Sequence, residues 1–240
     1  MRLIGIDGCP GGWVCASADA ELRTVTFTIQ EDLTNVFSEA VRDGDGVVID
    51  VPIGLSTDGP RECDLAARTY LPVGKKSSVF PAPCQETLAA STFEEACAIN
   101  RRACGKAISK QLWGILPKIR DVDGLMCGAR QSWIREAHPE VTFAAIGDHA
   151  SALPKKSAPA GQDERLALIR GYVPSIDPSI DRAGLEEQRR RLGAGNVSLD
   201  DLIDAIACLI TAYRIMKNTS CTLPPDPPKN ARGLRMEIVA

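Results

Sequence analysis

The chain has 240 residues, which is enough for one large domain or two small ones. Hydrophobic residues make up 44% and charged residues 25%, and these values exclude a disordered, collagen-like or coiled-coil protein. The 28 Lys and Arg against 31 Asp and Glu give a formal net charge of −3. A protein that coats DNA through bulk charge would be strongly basic, so any nucleic-acid contact must come from a local basic strip.

The N-terminal part of the sequence predicts three strands, a helix and a fourth strand. The first three strands are expected at residues 3–7, 13–17 and 24–29, where apolar or alternating β-branched runs are bounded by turn residues. Residues 31–42 have the apolar spacing of a helix, and residues 47–51 form the unbroken apolar run of a buried parallel strand. This β-β-β-α-β order, without a G-x-G-x-x-G turn, argues against a Rossmann dinucleotide site.

The remaining sequence predicts one α/β domain over residues 1–217. Residues from about 52 to 130 are helical and loop-rich, which indicates a large helical insertion after the fourth strand. We expect residues 218–240 to form a Pro-rich linker, at 223–228, and a C-terminal edge strand. The other expected elements are a strand at 131–136, helices at 139–146, 162–171 and 182–192, a mobile loop at 154–162, and a helix that begins at Ser198.

The cysteines and the N-terminus predict a cytoplasmic protein. The nine cysteines include no Cys-x-x-Cys pair, and with only His138 and His149 beside them no zinc spacing can be built. An acidic residue at position 7 comes too early for a secretory leader, and no apolar run approaches the roughly 20 residues that span a bilayer. We therefore expect reduced thiols and no membrane partner.

Three aspartates stand where ordinary structural roles explain them poorly. Asp7 and Asp50 end two apolar strands, and if those strands are parallel neighbours, about 4.8 Å apart, the two carboxylates can share one divalent cation. Turn formation is the alternative explanation for each. Asp204 lies beyond the first turn of its helix, where capping no longer explains a charge. Cys208 shares its side of the helix, and the small residues Ala205 and Ala207 flank it.

A fourth acid is less clearly indicated. Glu136 and Glu140 flank His138-Pro139, and Asp201 lies on the same side of the helix as Asp204, although a capping-box role with Ser198 explains Asp201 equally well. Carboxylate oxygens are the ligands that Mg²⁺ or Mn²⁺ prefers. We therefore expect a two-ion site for phosphodiester hydrolysis. The predicted catalytic residues are Asp7, Asp50, Glu140 and Asp204, with Asp7, Asp50 and Asp204 as the metal ligands.

Residues 5–14, GIDGCPGGWV, open a series of motifs that follow in order along the chain. Together these motifs resemble the family catalogued as domain of unknown function 429, described as predicted nucleases of RNase H fold. The resemblance implies an RNase H-like mixed sheet, with the strand-end acids at Asp7 and Asp50 and the helix acid at Asp204. Cys84 stands where the family pattern leads us to expect a basic residue. The further motifs are 50–55, 61–64 with 67–68, 77–83, 109–111, 136–140, 155–156 and 204–205.

Basic residues in the insertion and the polar loop are candidates for substrate contacts. Arg61 and Arg68 are seven residues apart and can share a helix face with Asp64, where an internal salt-bridge ladder is the alternative. Between residues 101 and 120 six cations occur without an acid, which predicts either a surface that contacts a nucleic-acid backbone or a solvated helix face. The predicted substrate-binding residues are Arg61, Arg68, Lys110, His138 and Lys155.

Three classes of function fit these patterns. The first is a metal-dependent nuclease or phosphodiesterase that acts on a nucleic acid or nucleotide. The second is a phosphotransferase or ATPase related to sugar kinases, whose first hairpin cradles phosphate much as residues 7–12 would here. Such enzymes generally use two such domains, which a homodimer could supply. The third is a non-catalytic nucleotide- or metal-binding module.

Overall fold

A computed structural model describes residues 1–147 and 153–240, and its described part contains one five-stranded mixed sheet. The strands are β1 (Leu3–Cys9), β2 (Gly12–Ala18), β3 (Val25–Gln30), β4 (Gly46–Ile49) and β5 (Ile134–Glu136). They lie in the order β3-β2-β1-β4-β5. β2 is antiparallel to both β1 and β3, whereas β1, β4 and β5 are parallel.

Eight α-helices lie in the described part of the chain, and the mixed α/β class is thereby confirmed. Three of them, with three short 3₁₀ turns, lie between β4 and β5, where the insertion was predicted. The helices are α1 (Thr34–Asp43), α2 (Glu62–Tyr70), α3 (Phe93–Cys104), α4 (Lys110–Leu125), α5 (Pro139–Ile146), α6 (Pro159–Tyr172), α7 (Arg182–Leu192) and α8 (Leu199–Met216).

Helix α8 is the element that packs most extensively on the central strand β1. It begins at a capping box, in which the Asp201 amide donates to Ser198 Oγ at 3.1 Å and the Ser198 amide donates to the Asp201 carboxylate at 2.8 Å. The helix backbone approaches β1 closely, because a Cβ atom added at Gly5 would lie 2.1 Å from the Ala205 carbonyl oxygen. Only glycine at this strand position permits that approach.

The two faces of the sheet are covered by separate hydrophobic cores. Side chains alternate along a strand, so Leu3 and Val48 pack under α8 while Ile4, Ile6 and Ile49 pack on the opposite face against α1 and α4. A smaller cluster joins α2, α5 and the C-terminal residues. This alternation decides which side chains of β1 and β4 can meet α8.

Several element boundaries differ from those expected. β1 continues to Cys9, so Asp7 lies within the strand rather than at its end. The return strand begins only at Ile134, because residues 130–132 form a 3₁₀ turn. Helix α6 begins at Pro159, inside the segment that was predicted to be a mobile loop. The predicted helices at 139–146 and 182–192 are confirmed with the same boundaries.

The C-terminal segment 218–240, where we expected a linker at 223–228 and an edge strand, packs on the domain and ends in a short strand. Its strand β7 (Ile238–Val239) pairs antiparallel with β6 (Thr222–Leu223) in a separate two-stranded sheet. Leu234 and Ala240 are completely buried, and the Asn230 side chain donates to the Leu55 carbonyl oxygen at 3.1 Å.

All nine cysteines lie in the described residues, and none of them forms a disulfide. Five of them are buried as small core side chains: Cys9, Cys15, Cys63, Cys84 and Cys208. His149, the second histidine, lies outside the described residues. Across 1–147 and 153–240, the helices are all too short or too polar to cross a membrane.

Candidate active site

Asp7 and Asp50 lie on neighbouring parallel strands and face α8. The register pairs Ile6 with Ile49, and the Asp50 amide donates to the Ile6 carbonyl oxygen at 3.0 Å, so the two aspartates stand at the same level. By the alternation of the strands, Asp7 shares the face of Leu3, under α8, and Asp50 continues the face of Val48. Both residues are half-buried.

Asp204 of α8 lies opposite these two carboxylates. It is 2% exposed, and the close approach at Gly5 brings the backbone of this part of α8 against β1. A buried carboxylate in such a position is costly unless a cation compensates its charge. The three aspartates therefore form an acidic pocket, defined here as Asp7, Asp50 and Asp204.

The carboxylates of the acidic pocket affect each other's protonation. Burial raises the pKa of Asp7 well above its ordinary value, and the negative charges of Asp50, Asp204 and Asp201 raise it further. Burial also raises the pKa of Asp50. Burial raises the pKa of Asp204 to about 6, although Lys156 acts in the opposite direction. Burial is the largest cause in each case, and the negative charges of neighbouring aspartates add to it at Asp7 and Asp204.

Lys156 supplies a cation to the acidic pocket. Its Nζ lies 2.6 Å from Asp204 Oδ2, and its side chain is 54% exposed. Burial of the ammonium acts to lower the pKa of Lys156, but the attraction of Asp204, and then of Asp7 and Asp50, raises it above its ordinary value. The sequence indicated residues 155–156 only as basic residues of a polar loop with a candidate substrate contact, and it contained no signal for this ion pair.

The backbone around Lys156 is held against helix α6. Arg165 is 1% exposed and donates to the Pro154 carbonyl oxygen at 3.1 Å. A Cβ atom added at Gly161 would lie 2.1 Å from the Lys155 carbonyl oxygen, so the loop and the first turn of α6 are in tight contact. The main chain is therefore positioned from behind, while the Lys156 side chain reaches forward to Asp204.

A second cation lies at the turn that follows Asp7. The Lys118 ammonium donates to the Gly12 carbonyl oxygen and lies 4.5 Å from the centre of the Trp13 ring. A Cβ atom added at Gly8 would lie 2.7 Å from Lys118 Cδ, so the lysine stem covers the turn. Lys118 was expected only as one member of the basic strip, because 106 residues separate it from Gly12.

Glu140, predicted as the fourth catalytic acid, is bound by two cations beside the acidic pocket. Its carboxylate accepts a hydrogen bond from Arg165 and lies 3.3 Å from Lys75 Nζ. Burial acts to raise the pKa of Glu140, but Arg165 and then Lys75 lower it below its ordinary value. These contacts make Glu140 a carboxylate that holds two neighbouring segments together.

Glu136, the alternative to Glu140, lies on the opposite face of the sheet. It pairs in register with Ile49, whose side chain belongs to the core on the far side from α8. Arg61 binds Glu136 through both terminal nitrogens, at 2.8 and 2.7 Å, and binds Asp64 at 2.6 Å. The backbone amide of Ile53 donates to Glu136 at 2.7 Å. Arg61, Asp64 and Glu136 are called the buried triad below.

The buried triad satisfies its own charges. Arg61 is 2% exposed, and it also donates to the Ile53 carbonyl oxygen at 3.1 Å and, through Nε, to Asp64 Oδ2 at 3.4 Å. Burial raises the pKa of Glu136 to about 7, against the effect of Arg61. The guanidinium predicted to bind substrate is thus oriented entirely into the protein, which is the salt-bridge alternative stated for it.

Two other predicted substrate contacts, His138 and Arg68, bind backbone groups of the protein itself. His138 caps α5, where its Nδ1 accepts from the Glu140 amide at 3.2 Å and its Nε2 lies 3.1 Å from the Ser78 carbonyl oxygen. Arg68 donates to the Lys76 carbonyl oxygen at 3.1 Å. These contacts fasten loops of the insertion next to the acidic pocket.

Two members of the basic strip bind groups within the insertion. Lys110 Nζ lies 3.6 Å from the centre of the Phe93 ring, and Arg120 donates to the carbonyl oxygens of Leu88 and Ala90. Lys155 is exposed beside Lys156. Asp201 lies in the capping box, and its charge still acts on Asp7.

The donor chemistry of the acidic pocket suits a hard divalent cation. Its three aspartates offer only carboxylate oxygens, which Mg²⁺ and Mn²⁺ prefer over nitrogen or sulfur. In residues 1–147 and 153–240, however, no three His, Cys, Asp or Glu side chains are gathered closely enough to hold a metal ion. One oxygen of Asp204 is bound by Lys156 instead.

Comparison with known proteins identified one family. The model of a family described as "Protein of unknown function (DUF429)" matches residues 5–229. Neither the curated proteins nor the solved structures contain a match to this chain. The family resemblance stated from the motifs is therefore confirmed, and the match extends into the C-terminal segment that the motifs did not cover.

Proposed function

We propose that this chain, which belongs to the DUF429 family of proteins of unknown function, is a metal-dependent phosphodiesterase that cleaves nucleic acid. The observation that carries the proposal is the acidic pocket, in which Asp7 and Asp50 of neighbouring strands face Asp204 of α8. The pKa values of Asp7 and Asp204 are raised by burial and further by neighbouring aspartates, so the fold holds these charges together against their repulsion. Such an arrangement is typical of functional sites.

Asp7, Asp50 and Asp204 would hold Mg²⁺ or Mn²⁺. When bound, such ions activate a water molecule and stabilise the leaving oxygen of a phosphodiester. Among the protein's own cations, Lys156 contacts Asp204 and would be available to a substrate phosphate at the pocket. His138 and Glu140 fasten the insertion loop and the Lys156 loop beside it.

An RNase H-like assignment of the fold is part of the same proposal. It is supported by the central parallel pair β1 and β4, each carrying one aspartate, and by a long helix that brings a third acid across them. The homodimer and the cytoplasmic location stay predictions from the sequence.

The test is cleavage of a panel of substrates in Mn²⁺ or Mg²⁺. The panel contains single-stranded and duplex DNA, RNA, a branched junction and ATP. We expect the wild type to cleave at least one nucleic acid, and Asp50→Asn to lower that rate about a hundredfold or more, because it removes a metal-binding charge. The matched control is Asp163→Asn, which makes the same change at a 58% exposed carboxylate paired with Arg182 and should leave the rate unchanged.

Three outcomes would reject the nuclease proposal. Cleavage that survives in Asp50→Asn would place the chemistry elsewhere. Hydrolysis of ATP alone would favour the phosphotransferase class, for which the covered turn at residues 8–12 is the relevant feature. Metal binding without turnover of any substrate would identify a binding module.

A further inference from the structure

We infer that Lys156 is a tethered cation that competes with the divalent metal for the acidic pocket, so that metal binding requires its ammonium to leave Asp204. This inference rests on the proposed function, since it concerns how the same pocket is regulated. It concerns a residue that none of the sequence patterns placed at the carboxylates.

The contact between Lys156 and Asp204 carries the argument. The ammonium lies 2.6 Å from Asp204 Oδ2, which is a direct charge-assisted hydrogen bond to a carboxylate that is 3% exposed. A metal ion coordinated by Asp204 would bring a double positive charge within a few ångströms of this ammonium. At that separation two cations repel strongly in a partly desolvated site, so the two cannot occupy the carboxylate together without a large loss of affinity.

The charge balance of the pocket also points to competition. Asp7, Asp50 and Asp204 contribute three carboxylates, and the Lys156 ammonium is attracted by all three, most strongly by Asp204. One lysine compensates part of this charge, and a divalent cation compensates more of it with stronger bonds to oxygen. The lysine therefore stabilises the pocket before metal arrives and is replaced when it does.

The anchoring of the Lys156 segment determines how the exchange takes place. Its main chain is tied to α6 through Pro154 and Arg165 and through the close packing at Gly161. The Lys156 side chain is 54% exposed, so its rotatable bonds can carry the ammonium out to solvent while the backbone stays in place. A released Lys156 remains at the rim, where it can bind a phosphate oxygen of the substrate.

Mn²⁺ binding to the purified full-length chain tests the inference without reference to activity. Free Mn²⁺ is measured by electron paramagnetic resonance during titration of the wild type, Lys156→Met, Lys156→Arg and Asp204→Asn. We expect Lys156→Met to bind Mn²⁺ about tenfold more tightly than the wild type or better, because the repelling charge is gone. Lys156→Arg should bind no more tightly than the wild type, and Asp204→Asn should bind far more weakly.

Lys155→Met is the matched control for net charge. It removes the same charge from the adjacent, exposed residue, and its Mn²⁺ affinity should stay within about twofold of the wild type because exposed charges are screened. Circular dichroism verifies that every variant is folded. We expect the Lys156 variants to fold, because this side chain is 54% exposed.

The outcomes separate this inference from the proposed function. If Lys156→Met binds Mn²⁺ as the wild type does, or more weakly, competition is rejected and a metal-dependent enzyme still stands. If Lys155→Met and Lys156→Met gain affinity equally, only net charge is at work and competition is again rejected. If neither the wild type nor Lys156→Met binds Mn²⁺, both the metal-dependent function and the competition fail together.

Discussion

The acidic pocket and the buried triad contain the same kinds of groups and use them in opposite ways. In the buried triad, one guanidinium binds two carboxylates, and backbone amides at Ile53 and Ala82 complete the hydrogen bonds of both acids. In the acidic pocket, the Lys156 ammonium binds Asp204 and is also attracted by Asp7 and Asp50, and the Lys156 side chain is 54% exposed. The first arrangement is closed to solvent, whereas the cation of the second is a partly exposed side chain.

The difference follows from the alternation of side chains along neighbouring strands. Asp50 directly follows β4 and Glu136 is the last residue of β5, so the sequence alone presents both as acids at strand ends. Glu136 pairs with Ile49, so it points to the face opposite that of Asp50. One residue of register thus separates a structural carboxylate from a candidate metal ligand. A strand-end acid becomes informative only when its face and its cation are known.

Breaking the buried triad should have the largest effect on stability. Arg61→Met leaves Glu136 and Asp64 buried without their shared cation, so we expect the free energy of unfolding to fall by about 3–5 kcal/mol in urea denaturation. Arg68→Met on the adjacent helix α2, where the guanidinium contacts only a carbonyl oxygen at the surface, should change it by less than about 1 kcal/mol. Equal losses for the two variants would contradict the distinction between a closed network and a surface contact.

Separating α8 from β1 should have an intermediate effect on stability and should open the acidic pocket. Gly5→Ala places a methyl group 2.1 Å from the Ala205 carbonyl oxygen, so the helix must shift, at a cost of about 1–3 kcal/mol. Gly114→Ala in α4 has no neighbouring atom within 4 Å and should instead raise stability by up to about 1 kcal/mol. Unchanged stability and Mn²⁺ affinity in Gly5→Ala would show that neither the fold nor the acidic pocket needs the close approach of α8 to β1.

Removing one charge from the acidic pocket should stabilise the protein slightly. The raised pKa of Asp7 means that the folded chain holds a proton that the unfolded chain releases, so stability is highest below the ordinary pKa and falls as pH rises towards the raised value. Asp7→Asn removes this penalty. At pH 7, without divalent metal, we expect an increase in Tm, with about 2–4 °C for each kcal/mol gained in a chain of this length.

The same variant should make stability less dependent on pH. Burial raises the pKa of Asp204 from its ordinary 3.8 to about 6. Asp204 therefore contributes a loss of stability in the wild type as pH rises between these two values. Thermal melts at intervals from pH 4 to pH 7 measure the slope, which should be shallower in Asp7→Asn. A lower Tm for Asp7→Asn at pH 7 would show that the Asp7 carboxylate is needed by the fold and is not a cost accepted for binding.

Much of the architecture could be predicted from local patterns. Apolar runs and turn residues located β1, β2 and β4, and the Ser198 cap located the start of α8, because these signals depend on neighbours within a few residues. The return strand was placed three residues too early, and the linker predicted at 223–228 lies in a segment that packs on the domain. Both errors arise where distant contacts decide the structure, as at Asn230 and Leu55.

The candidate site was predictable only in part. Asp7, Asp50 and Asp204 stand out because local structure explains them poorly. Glu140, Arg61 and Lys156 could not be placed, since their partners lie 25 to 75 residues away in the chain. A sequence does not show where a charged side chain points, so Arg61 of the buried triad and Lys156 of the acidic pocket cannot be told apart from it.

The sequence by itself therefore determined the elements, the family and the three unusual aspartates, because propensity, capping and motif order are local properties. Only the tertiary structure decided that α8 lies against β1 at Gly5, that Glu136 turns away from Asp50, and that Lys156 meets Asp204. The reason is physical. Register, helix packing and long-range ion pairs depend on which surfaces are buried together, and no short stretch of sequence contains that information.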